Sequence, residues 1–172
     1  MNPCTKLLSA CCLALQALRA IQLPVLPLFI LPLLLSSTVQ AQTNAQAVIL
    51  QYHHVSSRTP PVTSLSPDEF RQHMTYLQDN NFHVLPLETV IAALQSGSPL
   101  PDKTAVITFD DGYISVYDTA FPLLVEMNYP FTVFVTAGLV NSNPKLYATW
   151  DQLREMGNKG ATLANHTVSH PY

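Results

Sequence analysis

Two rhythms of apolar and polar residues alternate along this chain from Ala47 onward. Short apolar runs rich in β-branched residues read as strands at 47–52, 82–85, 105–109, 131–135 and 161–164. Between them lie segments with apolar residues at helical spacing. The first helix starts at Ser66-Pro67-Asp68-Glu69, where Ser66 caps, Pro67 suits the first helical position and Glu69 completes a capping box. Its stripe of Phe70, Met74 and Leu77 runs to Asp79 or Asn80 and reads as packing against a sheet. A second helix spans 87–95 and is ended by Gly97 and Pro99. A third runs from about Ser115 to Met127, with Pro122 starting or kinking it and Asn128 as its left-handed cap. A fourth covers 150–156, closed by Gly157 and Gly160, while 56–65 and 138–147 read as loops. Strands alternating with helices predict an α/β fold with a parallel sheet, whose functional residues gather at the carboxyl ends of the strands.

The N-terminal stretch breaks this rhythm. Residues 1–41 read as a secretory signal peptide: Lys6 and Arg19 are its only charges, an apolar core runs from Leu23 to Leu35, and Val39-Gln40-Ala41 supplies the small-residue cleavage pattern. Pro24, Pro27 and Pro32 argue against a membrane-spanning helix, which needs about 20 predominantly apolar residues. Leu8-Ser9-Ala10-Cys11 superficially resembles a lipoprotein box but lacks an apolar core before it, so plain cleavage is favoured over outer-membrane attachment. The expected product is exported to the periplasm or the extracellular space, with a linker over 42–46 and one domain over 47–172.

Cleavage changes the composition that matters. All three cysteines (Cys4, Cys11 and Cys12) belong to the leader, so the mature chain has neither a disulfide framework nor a thiolate metal site. Of the 8 Lys and Arg, 2 leave with the leader, so 6 remain against 11 acids, a net of −5. No basic patch is visible, which argues against nucleic acid as a partner.

The chemistry concentrates in two places. The strand 105–109 runs straight into Asp110, Asp111 and Gly112. Adjacent carboxylates at a strand end are costly to bury unless each is paired, protonated or bound to a cation. The strand 161–164 leads to His166 and His170, which share a face in a helical turn and can also converge in a compact loop. Carboxylate and imidazole together suit zinc or a similar first-row metal. A metal with open positions can acidify water and polarise a carbonyl, and the second carboxylate is then available as a base. His53 and His54 follow the first strand and could reach the same mouth, although one of the two reads as an ordinary histidine in a capped turn. His73 reads as partly buried or solvent-facing rather than as a ligand.

Thr108-Phe109-Asp110-Asp111-Gly112 followed by His166-Thr167-Val168-Ser169-His170 resembles the first two motifs of the polysaccharide deacetylase family, the NodB-homology or carbohydrate esterase family 4. Leu50 to Val55 and Phe70 to Met74 are similar to its poly-β-1,6-N-acetylglucosamine-deacetylating branch. The resemblance implies a distorted (β/α) barrel, Asp110 as catalytic base, and Asp111, His166 and His170 as ligands of a divalent metal, zinc with cobalt or nickel as alternatives. Thr167 and Ser169 would shape the turn between the ligands. The implied substrate is an N-acetylated polysaccharide, giving free amine and acetate. The family's later motifs, which supply a histidine general acid and complete the groove, have no counterpart before Tyr172, so the expectation is the N-terminal part of such a domain. An exported, non-catalytic carbohydrate- or metal-binding remnant is the competing reading. A phosphohydrolase is a third, and it leaves the His166/His170 pair unexplained.

Overall fold

The computed structural model describes residues 46–171. The expected leader over residues 1–41 and residues 42–45 of the expected linker lie outside the described residues. Seven strands and four α-helices are described: β1 Ala47–Tyr52, β2 His54–Val55, β3 Ser64–Leu65, α1 Pro67–Asp79, β4 His83–Val84, α2 Leu87–Ser96, β5 Thr104–Asp111, α3 Phe121–Glu126, β6 Phe131–Val135, α4 Trp150–Asn158 and β7 Ala161–Asn165. Five strands form one sheet of order β1-β5-β6-β7, with β4 also paired to β5, and every pairing in it is parallel. Among the described residues β1, β4 and β7 each pair on one side only. This is the α/β architecture that the alternating pattern predicts.

The central strand is longer than the apolar run suggests. Asp110 and Asp111 belong to the ladder, opposite Phe134 and Val135 of β6. One flank of β5 is occupied by β1 over residues 104–109. The other changes partner, from β4 at 104–105 to β6 at 108–111. All eight residues of β5 are buried, as expected of a central parallel strand. Tyr52, Phe109, Val133 and Leu163 stand in one row across four strands. The carboxyl ends of β5, β6 and β7 are therefore level at Asp111, Val135 and Asn165, with β1 ending two residues short of them.

Below that edge, Phe109 sits in an aromatic cluster with Tyr52, Phe70 and Phe131 at centroid separations of 5.2–5.9 Å between touching pairs. Phe70, Met74 and Leu77 of α1 are all buried in this core, as the stripe predicts. The capping box forms too: Ser66 Oγ accepts from Glu69 N–H and Glu69 Oε2 accepts from Ser66 N–H. Gly97 ends α2 at φ +69, where a side chain would be strained.

The segment around Pro122 differs from a plain helix. Residues Val116–Ala120 form a π-helical turn that runs into α3. Pro122 lacks an N–H and its ring crowds the carbonyl four residues back, at Asp118; the wider turn gives room for it. Gly157 does not close α4 but lies inside it, and the left-handed turn falls on Gly160 at φ +104. The loop expected at 56–65 is bracketed by the short parallel pair β2–β3.

Candidate metal and catalytic site

β5 delivers one carboxylate to each of its flanks. Asp110 and Asp111 are 6% and 8% exposed, so each has to find polar partners. Asp110 turns to the β1 side: its Oδ2 accepts a hydrogen bond from Gln51 Nε2 and lies 3.8 Å from His53 Nε2. Asp111 turns to the β6–β7 side. Thr136, fully buried just after β6, donates to its Oδ1 at 3.3 Å. His166 Nε2 and His170 Nε2 lie 3.6 and 3.7 Å from the same oxygen.

Those separations fit an ion. A tetrahedral zinc with bonds near 2.1 Å holds neighbouring ligand atoms about 3.4 Å apart. The candidate ligand atoms of Asp111, His166 and His170 all lie within 4.8 Å of one another. One hard oxygen and two imidazoles are a donor set for zinc, cobalt or nickel, and three protein ligands leave positions open for water and substrate.

The two histidines converge through a compact loop rather than a helical turn. Thr167 and His170 have φ of +68 and +49, which a helix would forbid. Thr167 N–H donates to Asn165 Oδ1 at 2.6 Å, and Thr167 Oγ1 accepts from His170 N–H at 2.9 Å. Thr167 thus shapes the turn as expected, whereas Ser169 is exposed. The loop is fastened to the end of β6 by His166 N–H to Val135 O, Ala137 N–H to Thr167 O and Gly138 N–H to Val168 O, at 2.8–3.1 Å.

Asp111 itself has φ +69 and Gly112 φ +75, so the backbone reverses at once after the ladder, with Gly112 N–H donating to Asp110 O at 2.9 Å. A non-glycine residue there costs about 1–3 kcal/mol, strain that is commonest at functional sites. Tyr113 follows directly after this turn. Burial and the Asp111 charge push the Tyr113 phenol well above its usual range.

The two histidines after β1 part ways. His53 faces Asp110, while His54 is buried, stacks on Tyr113 at 3.6 Å and lies 3.5 Å from Ser115 Oγ. Burial, then the neighbouring His53, hold the His54 imidazole below its usual pKa against an opposing pull from Asp111. His73 is exposed and pairs with the Tyr52 hydroxyl at 3.1 Å. Sequence reasoning left His53 undecided and passed over Gln51, Tyr113 and Thr136. Position at a strand end was the only signal each carried. Beside the mouth, with His54 in the shared wall, lies an open cleft of about 780 Å³ whose lining includes Arg58, Ser115, Asp118 and Lys145.

Comparison with known proteins agrees with this geometry. The family model described as polysaccharide deacetylase matches residues 97–172. YxkH of Bacillus subtilis (strain 168), provisionally named a polysaccharide deacetylase, is 32% identical over 136 residues, covering 78% of this chain and 47% of its own length. The poly-β-1,6-N-acetyl-D-glucosamine N-deacetylase of Escherichia coli (strain K12) is 28% identical over 142 residues, covering 73% of this chain and 21% of the relative. The solved structure of the Streptococcus pyogenes deacetylase PplD in complex with acetate superposes with a TM-score of 0.66 at 31% identity, covering 73% of this chain and 57% of that one. The chain thus spans less than half the length of these two curated relatives.

Proposed function

From the match of residues 97–172 to the polysaccharide deacetylase family we propose that this chain is an exported, metal-dependent hydrolase removing N-acetyl groups from an N-acetylglucosamine-containing polysaccharide. The observation that carries the proposal is the division of two adjacent carboxylates between two flanks. Asp111 lies with His166 and His170 in one cluster, and Asp110 lies with Gln51 and His53 in another. The polymer is proposed from the likeness to the poly-β-1,6-N-acetyl-D-glucosamine N-deacetylase, and export from the leader over residues 1–41.

Asp111, His166 and His170 would hold a divalent ion, zinc by their donor set, which when bound acidifies water and polarises an acetamide carbonyl. The rest falls to this chain's own side chains. Asp110 takes the proton from the attacking water, its carboxylate held by the Gln51 amide. His53, 34% exposed at its side chain and 3.8 Å from Asp110, reaches the mouth and can hand a proton to the departing sugar nitrogen. The C–N bond then breaks, leaving acetate and a free amine. The general acid sought in later motifs thus has a candidate on β1's end.

The test is acetate release from a β-1,6-linked N-acetylglucosamine oligosaccharide by the zinc-loaded full chain. Release that disappears in Asp110→Asn supports the assignment. Release at the Asp110→Asn level by the unaltered chain, with the oligosaccharide still retained, would overturn it in favour of a binding remnant.

A further inference from the structure

The cleft of about 780 Å³ beside the mouth takes no part in the hydrolytic steps above. Its volume falls within the roughly 300–1,000 Å³ of small-ligand clefts. Three segments carry charge into its lining: the β2–β3 loop brings Arg58, the π-helical turn Asp118, and the 138–147 loop Lys145. His54, next to the His53 that faces Asp110, belongs to the same lining. Both cation-bearing loops are fastened. His54 N–H to Thr63 O at 3.1 Å and Ser56 N–H to Leu65 O at 2.8 Å pin the two legs of the first. Ile114 N–H to Leu146 O at 2.9 Å ties down the second. The backbone under each charge is held as well: Arg58 N–H donates to Ser56 Oγ at 3.1 Å, and Lys145 N–H to Asn143 Oδ1 at 3.2 Å.

The charges themselves are uncompensated. Among the described residues neither Arg58 nor Lys145 forms an ion pair. The other cations after residue 41 are engaged or lie beside acids. Arg154 and Lys159 pair with Asp151 and Glu155, Lys103 Nζ donates to Asn80 O at 2.9 Å, and Arg71 shares a hollow with Asp68 and Asp79. Beyond residue 41, 11 acids face 6 bases, yet this cleft sets two cations against one acid. The local excess is positive in a chain whose balance is negative.

We propose that this cleft is a subsite for a sugar unit bearing an anionic group, carboxylate or phosphate, in the polymer that carries the N-acetylglucosamine unit. The inference rests on the proposed function for the sugar and on Arg58 and Lys145 for the charge. A guanidinium presents a planar fork that matches both anions, and an ammonium adds a mobile point charge. Both side chains are exposed and keep their heads in water until a ligand arrives, so neither pays a burial cost in the free protein. Asp118 opposes them, and its repulsion works against the same anion.

The experiment is a binding titration of the full chain, followed by NMR, with two pairs of tetrasaccharides. One pair is N-acetylglucosamine alternating with glucuronic acid and its neutral methyl ester. The other is a phosphate-substituted β-1,6 N-acetylglucosamine tetramer and its unsubstituted parent. Each acidic form is compared with its own neutral form, so carboxylate and phosphate are read separately. At least one acidic form is expected to bind about three- to tenfold more tightly at low salt, with the gain shrinking as salt is added. Arg58→Ala and Lys145→Ala are each expected to reduce that gain, and Asp118→Asn to enlarge it. Opposite signs at three exposed positions are a pattern that a folding defect does not produce. The subsite is overturned if neither acidic form gains, if the gain survives in both Arg58→Ala and Lys145→Ala, or if no tetrasaccharide binds. Charge-dependent binding without acetate release would sink the hydrolase and leave the subsite standing. Acetate release without a charge preference would do the reverse.

Discussion

Gly138 donates its backbone N–H to the carbonyl of Val168 at 2.8 Å, and a β-carbon on residue 138 would collide with that same oxygen and come within 3.2 Å of Val168 Cγ1. The loop carrying His166 and His170 is thereby seated on the segment after β6, at a distance only glycine allows. Gly138→Ala is expected to lift the loop, weaken zinc binding tenfold or more, and cost about 1–3 kcal/mol of stability. Zinc titration and thermal melting check it, and wild-type zinc affinity in this variant would count against the seating argument.

Under the proposed function the two carboxylates have separable roles. Asp111→Ala removes the one oxygen that both imidazoles face, and is expected to abolish stoichiometric metal retention. Asp110→Asn leaves that cluster intact, so it is expected to retain metal and lose turnover. Metal analysis of the two purified proteins decides it; equal metal loss in both would remove the assignment.

His53 and His54 are neighbours with opposite surroundings. His53→Ala is expected to lower kcat by roughly 10²–10⁴-fold with metal retained, the usual range for a positioned general acid. Metal content unchanged and kcat also unchanged would return the general acid to a residue outside this segment.

Alkaline stability should depend on Tyr52. Burial pushes its phenol up to about 12 from an ordinary value of 10. Above pH 10 the unfolded chain releases this proton while the folded one keeps it, so the contribution is complete below pH 10 and is lost as pH rises towards about 12. The two-unit gap corresponds to at most about 3 kcal/mol, reduced by solvent screening because the phenol is only partly buried. Tyr52→Phe should flatten this part of the unfolding free-energy curve against pH, whatever the cost of losing its bond to His73; an unchanged slope would show that Tyr52 does not carry it.

Much of the scaffold was legible because its causes are local. The Ser66 box, the Phe70-Met74-Leu77 stripe and the Gly97 and Asn128 turns depend on residues within one or two helical turns of one another. The apolar runs before Asp110 and His166 likewise announced strands whose ends would carry the chemistry. Local pattern failed where long-range pairing intervened. β5 extends through both acids because β6 offers partners for their backbone, and Gly157 stays helical because the left-handed turn falls three residues later.

The site divides along the same line. The sequence by itself determined the residue types of the candidate metal cluster, since Asp111, His166 and His170 stand in two recognisable motifs. Only the tertiary structure decided which histidine of the 53/54 pair meets Asp110, that Thr136 braces Asp111, and that Gly138 seats the histidine loop. Each of these contacts joins residues on separate strands or their loops. They depend on the parallel register that brings the strand ends together, and that register is a property of the assembled sheet rather than of any stretch of chain.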